Sequence, residues 1–165
     1  MRSISVFSNP AGTGLQVGAE WVFTYHPDSI MAAVSLGNLG LGMTKNDSIT
    51  YYEAGLGYKL PGAFSFGYAH QFDTKDYGIS KHILGVICRP NQYTSIGYKT
   101  TLGRRNHMFG GLSIRPFKEY LTLSFDLEYE GIDSIFTYYY GGIIEPYPGI
   151  KVNFHADEDF NRISF

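Results

Sequence analysis

From Gly18 onward the chain alternates apolar and polar residues in short runs, cut by turn residues about every ten positions. A period of two is the signature of strands, and nowhere does apolar spacing settle into the 3.6-residue period of a helix. Each run therefore carries two chemically different faces. In 119–130, Leu121, Leu123, Phe125, Leu127 and Tyr129 oppose Tyr120, Thr122, Ser124, Asp126 and Glu128. In 63–72, Phe64, Phe66, Tyr68 and Phe72 oppose Ala63, Ser65, Gly67, Ala69 and Gln71. Trp21, Phe23 and Tyr25 oppose Glu20, Thr24 and His26, and Ile150, Val152 and Phe154 oppose Lys151, Asn153 and His155.

Proline gives the punctuation. Pro61, Pro90, Pro116 and Pro146 lie 29, 26 and 30 residues apart, each in a segment that reads as a tight turn between strands, because proline cannot donate to a ladder. Midway between them fall proline-free, more charged turns at 44–48, 73–81, 103–106, 130–134 and 156–159. Two kinds of turn alternating in this way mean two strands per period, each about 10 residues, the length of a tilted membrane strand. The strands read as 19–26, 29–36, 39–44, 48–60, 63–72, 81–89, 92–102, 106–115, 119–130, 134–145, 149–156 and 160–165. The third requires Gly37-Asn38 to be a two-residue hairpin turn. The expectation is an all-β fold: an antiparallel up-and-down transmembrane β-barrel of about 12 strands, one domain over 1–165.

The 165 residues suit one domain, and 14 Tyr, 12 Phe and 20 Gly suit pleated aromatic faces with places to bend. Mean hydropathy is −0.13, and the long uncharged stretch Ser29–Thr44 is interrupted by Gly and polar residues, so no membrane helix is encoded. Net charge −2 with scattered Lys and Arg gives no nucleic-acid footprint. The lone Cys88 excludes an intrachain disulfide and has no metal-ligand spacing. No leader opens the chain at Arg2-Ser3-Ile4-Ser5-Val6-Phe7, so an exported protein is expected here as a mature form or an excised domain. Phe165 matches the terminal aromatic of many outer-membrane barrels, although Asp157, Asp159 and Asn161 stand where apolar residues are expected.

A soluble sandwich would show the same alternation with its apolar face inward. The membrane reading rests on the aromatic character of one face, on the small, polar character of the other, and on Tyr25, Tyr58, Phe64, Phe72 and Tyr129 near strand ends, where interfacial girdles lie. Inward charges then include Glu20, Glu53, Lys59, Arg89, Lys99, Arg115, Asp126, Glu128 and Lys151. Both signs are present, which favours a cross-linked interior. Glu20, Glu53, Lys99, Arg115, Asp126, Glu128 and Lys151 are the lumen or ligand candidates.

The segment Asn9-Pro10-Ala11-Gly12, just before the first strand, resembles the signature near the start of barrels related to long-chain fatty-acid transporters and type IX secretion shuttle barrels. The hairpins Gly85–Gly97 and Gly111–Ser124, each carrying Arg-Pro at the turn, resemble that superfamily's periplasmic hairpins. Their order resembles more closely the barrel-like N-terminal region of signal peptide peptidase A-type proteins. The resemblance implies that Asn9, Pro10 and Ala11 belong to a hatch that helps plug the barrel, within 1–17; the same residues also read as an ordinary turn entering the first strand. The chain lacks the long outer loops that build the family's external ligand site.

Catalysis finds no support in the sequence. There is no G-x-S-x-G elbow and no His-Glu-x-x-His pattern among the five histidines. Asp126 and Glu128 share a face and could act as an acid–base pair, but are expected instead to pair with Arg115 or Lys99. No catalytic residue, metal or cofactor is expected. Three roles remain open: an outer-membrane scaffold, anchor or partner-binding barrel; a small channel or hydrophobic-ligand transporter; and a soluble all-β binding module. The expected partners are membrane lipids, and another protein or a downstream domain.

Overall fold

A computed structural model describes residues 9–15, 18–46, 49–73, 80–103, 106–117, 120–131, 134–147, 150–158 and 163–164. A short 3-10 helix, Pro10–Leu15, precedes one antiparallel sheet whose spatial order is its sequence order. The strands are β1 Ala19–His26, β2 Ser29–Leu36, β3 Leu39–Asn46, β4 Thr50–Lys59, β5 Phe64–Asp73, β6 Lys81–Asn91, β7 Thr94–Leu102, β8 His107–Ile114, β9 Leu121–Glu130, β10 Ile135–Tyr147 and β11 Ile150–Asp157, followed by the two-residue β12, Ile163–Ser164. Among the described residues β1 pairs with β2 and β12 with β11, and the two ends of the sheet do not meet. Closing the expected ring requires a full-length last strand against β1, and only two residues of that strand are described.

The Gly37-Asn38 hairpin forms as expected. Leu36 faces Leu39 across it, and Gly37 adopts φ +57°, where a side chain would collide with its own backbone. Most of the charged turns (residues 47–48, 74–79, 104–105, 132–133 and 159) lie outside the described residues, as do 1–8 and 16–17 of the hatch segment and Pro148-Gly149.

Two prolines depart from the turn assignment. Pro90 lies inside β6 and Pro146 inside β10, each where the register slips. Between Cys88↔Ile96 and Asn91↔Thr94 the β6 chain spends one residue more than β7. Between Ile144↔Val152 and Tyr147↔Ile150 the β10 chain likewise spends one more than β11. A bulge leaves a residue outside the ladder, so a residue lacking N–H is tolerated there and the strand continues.

The two faces separate as the alternation requires. Trp21 is 78% exposed, Tyr25 69% and Leu56 58%, and the same outward side carries Phe64, Phe66, Tyr68, Leu84, Tyr98, Leu112, Phe125, Tyr138 and Phe154. Neighbouring outward rings lean on one another, as in Tyr52–Phe72, Phe125–Tyr140 and Tyr129–Phe136. The opposite side is small and polar, with Ser35, Ser65 and Ala69 fully buried. The aromatic rows are therefore not a core. What fills the inner side at β3–β6 is the 3-10 helix.

Candidate functional site

The inner face at its best-packed point is built from glycine. Gly57 pairs with Gly67, and Gly67 with Gly85, so three missing side chains lie in one row across β4, β5 and β6. The backbone of residues 9–14 occupies the trough. A Cβ at Gly57 would stand 2.5 Å from Gly14 N and 2.6 Å from Pro10 O, one at Gly67 would run into the Pro10–Ala11 peptide, and one at Gly85 into the Asn9 side chain. Pro10, Ala11, Gly12, Thr13 and Gly14 are all buried there.

Hydrogen bonds fasten the segment in place. Ser65 Oγ donates to Ala11 O at 2.6 Å and Thr13 Oγ1 to Pro10 O at 2.8 Å, with Asn38 O 3.4 Å from the same hydroxyl. Asn9 Nδ2 donates to Tyr98 O at 3.1 Å and Val86 O at 3.4 Å, while its Oδ1 accepts from Ala11 N at 3.1 Å. Asn9 thus caps the turn with one end of its amide and ties it to β6 and β7 with the other. Asn9, Pro10 and Ala11 are held against β4–β7 by direct contacts.

The charged candidates spread along the same face. Glu53, 3% exposed in β4, lies across from Gly42 and Gln71, with Oε1 lacking a hydrogen-bond partner among the described residues. Its charge acts with those of Lys99 and Lys81. Lys99 in β7 places Nζ 4.3 Å over the Phe109 ring, between the carboxylates of Glu53 and Glu128 in electrostatic terms. Glu128 in β9 accepts from Tyr139 Oη at 3.0 Å and has His107 Nδ1 at 3.7 Å. Asp126 sits between Gly111 and Tyr139 in the register, near His155. Glu20 is half-buried in β1, opposite Ser35. Lys151 falls in β11, opposite no other candidate in the register.

The expected pairing of Asp126 and Glu128 with Arg115 is corrected. Arg115 follows the end of β8, at the rim where β6 also ends, and its charge bears on Arg89 instead. The strands carry Arg115 and Asp126 to different heights: Asp126 pairs with Gly111, four residues before Arg115. Lys99 does act with Glu128, across the intervening Phe109.

Sequence reasoning missed His107, whose ring lies 3.7 Å from both Glu128 and Glu130. The shared inward parity of 107, 128 and 130 carried that signal, but it becomes visible only once the β8–β9 register is known. It also missed the outward trio in which Tyr68 Oη and His82 Nδ1 lie 2.8 Å apart and His70 Nδ1 lies 3.4 Å from the same nitrogen. Among the described residues no cluster of His, Cys, Asp and Glu is placed to hold a metal ion.

No family model matches the chain, and no curated protein matches it. Solved structures do. Three engineered variants of Rh. blastica porin superpose with TM-score 0.59 at 11% identity, over 82–83% of this chain and 52% of theirs. The fold is that of a porin sheet. The chain spans about half the length of those porins, and at this identity the likeness speaks to the meander of antiparallel strands alone.

Proposed function

We propose that the chain forms an integral β-barrel in the outer membrane of a Gram-negative-type bacterium, closed by pairing of its last strand with β1, and serves there as a scaffold or anchor for a partner rather than as an enzyme. One observation carries the reading: the large apolar side chains of almost every strand point away from the sheet's packed face and stand exposed. Monomeric soluble proteins rarely expose apolar patches beyond a few hundred Å², whereas acyl chains solvate such a face. The porin-like fold supports the same compartment.

The scaffold role draws on the inner face. A trough filled by residues 9–14 and a mixed-sign inner face favour a partly filled interior over an open pore. The docked Asn9-Pro10-Ala11 fits the hatch that the resemblance to fatty-acid transporter, shuttle and peptidase-linked barrels implies. The partners on this reading are lipid and another protein or domain. A second reading, a small channel or conduit for hydrophobic ligands, is favoured by the likeness to porins and by the charges facing the interior.

Extraction and reconstitution test both. The expected result is a protein that needs detergent, migrates faster unheated than boiled, and gives little conductance in planar bilayers. A folded protein soluble without detergent overturns the membrane reading. Steady conductance by the wild type moves the role from scaffold to conduit.

A further inference from the structure

Two Arg-Pro pairs stand at the same rim. Arg89-Pro90 occupies the bulge that ends β6, and Arg115-Pro116 follows β8, with β7 between them. Parity puts both arginines on the inner side: Arg89 continues from Gly85 and Ile87, Arg115 from Gly111 and Ser113. Backbone bonds hold the two positions, Arg89 N donating to Ala63 O and Arg115 N to Tyr93 O, each at 2.7 Å.

Both side chains line one cleft of about 250 Å³, together with Asn91, Thr94, Ser95 and Ser113. Ser95 and Ser113 are direct cross-strand partners, so both hydroxyl-bearing residues line the cleft that the two arginines share. Arg89 Nε reaches Ser95 Oγ at 3.5 Å. Among the described residues no carboxylate pairs with either arginine; the ion pairs found there join His26 to Asp28 and His107 to Glu128 and Glu130. Guanidinium does not discharge in proteins, so the repulsion between the two cannot be relieved by losing a proton. An anion relieves it.

We propose that this cleft binds a phosphate group, each guanidinium fork taking phosphate oxygens and the Ser95 and Ser113 hydroxyls donating to another. Two fixed positive charges match a phosphate dianion better than a single carboxylate, and planar forks suit bidentate recognition. The group comes from a soluble phosphate or from a lipid headgroup. The site is local to β6–β8 and does not require the ring to close or the sheet to meet lipid.

The test uses the full chain in maltoside micelles, which carry no phosphate. One arm titrates inorganic phosphate at constant ionic strength by calorimetry; the other measures phosphatidylglycerol retained after detergent exchange. R89Q and R115Q are each expected to weaken binding at least about tenfold, the loss of one charge-assisted fork. R89K and R115K, which keep the charge and lose the fork, should fall between. K45Q, the same charge change on exposed Lys45 at the other end of β3, should change it by less than about twofold. Arginine-dependent binding in either arm supports the site, and the arm that responds identifies the source. Binding in neither arm, or binding that falls no further in R89Q and R115Q than in K45Q, overturns it.

Discussion

Gly67 and Gly110 are both mid-strand glycines, yet they do opposite things. A Cβ at Gly67 meets the Pro10–Ala11 peptide, while one at Gly110 meets nothing within 4 Å. Gly67→Val is therefore expected to destabilise by about 1–3 kcal/mol, the usual cost of forcing volume into a filled site. Gly110→Val is expected to be neutral or mildly stabilising, because a branched side chain suits an open strand position. Urea-unfolding midpoints in the same detergent decide it; equal losses at both positions would mean that residues 10 and 11 do not fill the trough. Ser65→Ala removes the donor to Ala11 O and should cost about 1–3 kcal/mol by leaving a buried carbonyl unsatisfied. The sequence displayed the small residues Ser65, Gly67 and Ala69 on one face of the 63–72 run. Which of them touch a distant segment was not legible, since the contact joins residues more than 40 positions apart and leaves no local period.

Strands β1 to β11 were legible almost to their ends, because their period of two is written locally and one-sided burial fixes the register. β3 depended on Gly37-Asn38, and the positive φ at Gly37 explains why the turn closes in two residues. Gly37→Val should cost at least about 1–2 kcal/mol, the penalty for an L side chain in the left-handed region. The loss should appear in the unfolding midpoint, with nothing around Gly37 to relieve or add to it sterically; an unchanged midpoint would show that this hairpin is not formed as described. Pro90 and Pro146 were misread as turn residues for a reason of the same scale. A bulge is a mismatch in count between two strands, so neither β6 nor β10 reveals it alone. The Arg115 half of the pairing expected for Asp126 and Glu128 failed similarly, while its Lys99 half holds for Glu128: parity placed the charges on the right face, but only cross-strand register sets their height, and it brings Glu128 to Lys99, His107 and Tyr139 rather than to Arg115.

For the molecule as a whole, the question is which solvent meets the outward face, and the chain contains its own reporter. Trp21 is the single tryptophan, it stands 78% exposed in β1, and it shares its face with Phe23, Val34, Leu41 and Met43. In water such an indole would be quenched by iodide and untouched by lipid. Against acyl chains the accessibilities reverse. Reconstituted into vesicles of phospholipid brominated along its chains, the protein should lose most of its Trp21 emission and resist aqueous iodide; strong iodide quenching with no effect of bromine would remove the membrane reading. Leu56→Arg supplies an independent check on a strand far from the ends of the sheet, since Leu56 is 58% exposed on the same side. An arginine on a wetted surface costs almost nothing, whereas one facing lipid near the middle of a strand costs about 2–4 kcal/mol. A loss of that size in vesicles, together with bromine quenching at Trp21, would place both β1 and β4 in one apolar solvent, which a sheet achieves when it curves around its small, polar side and turns the aromatic side outward.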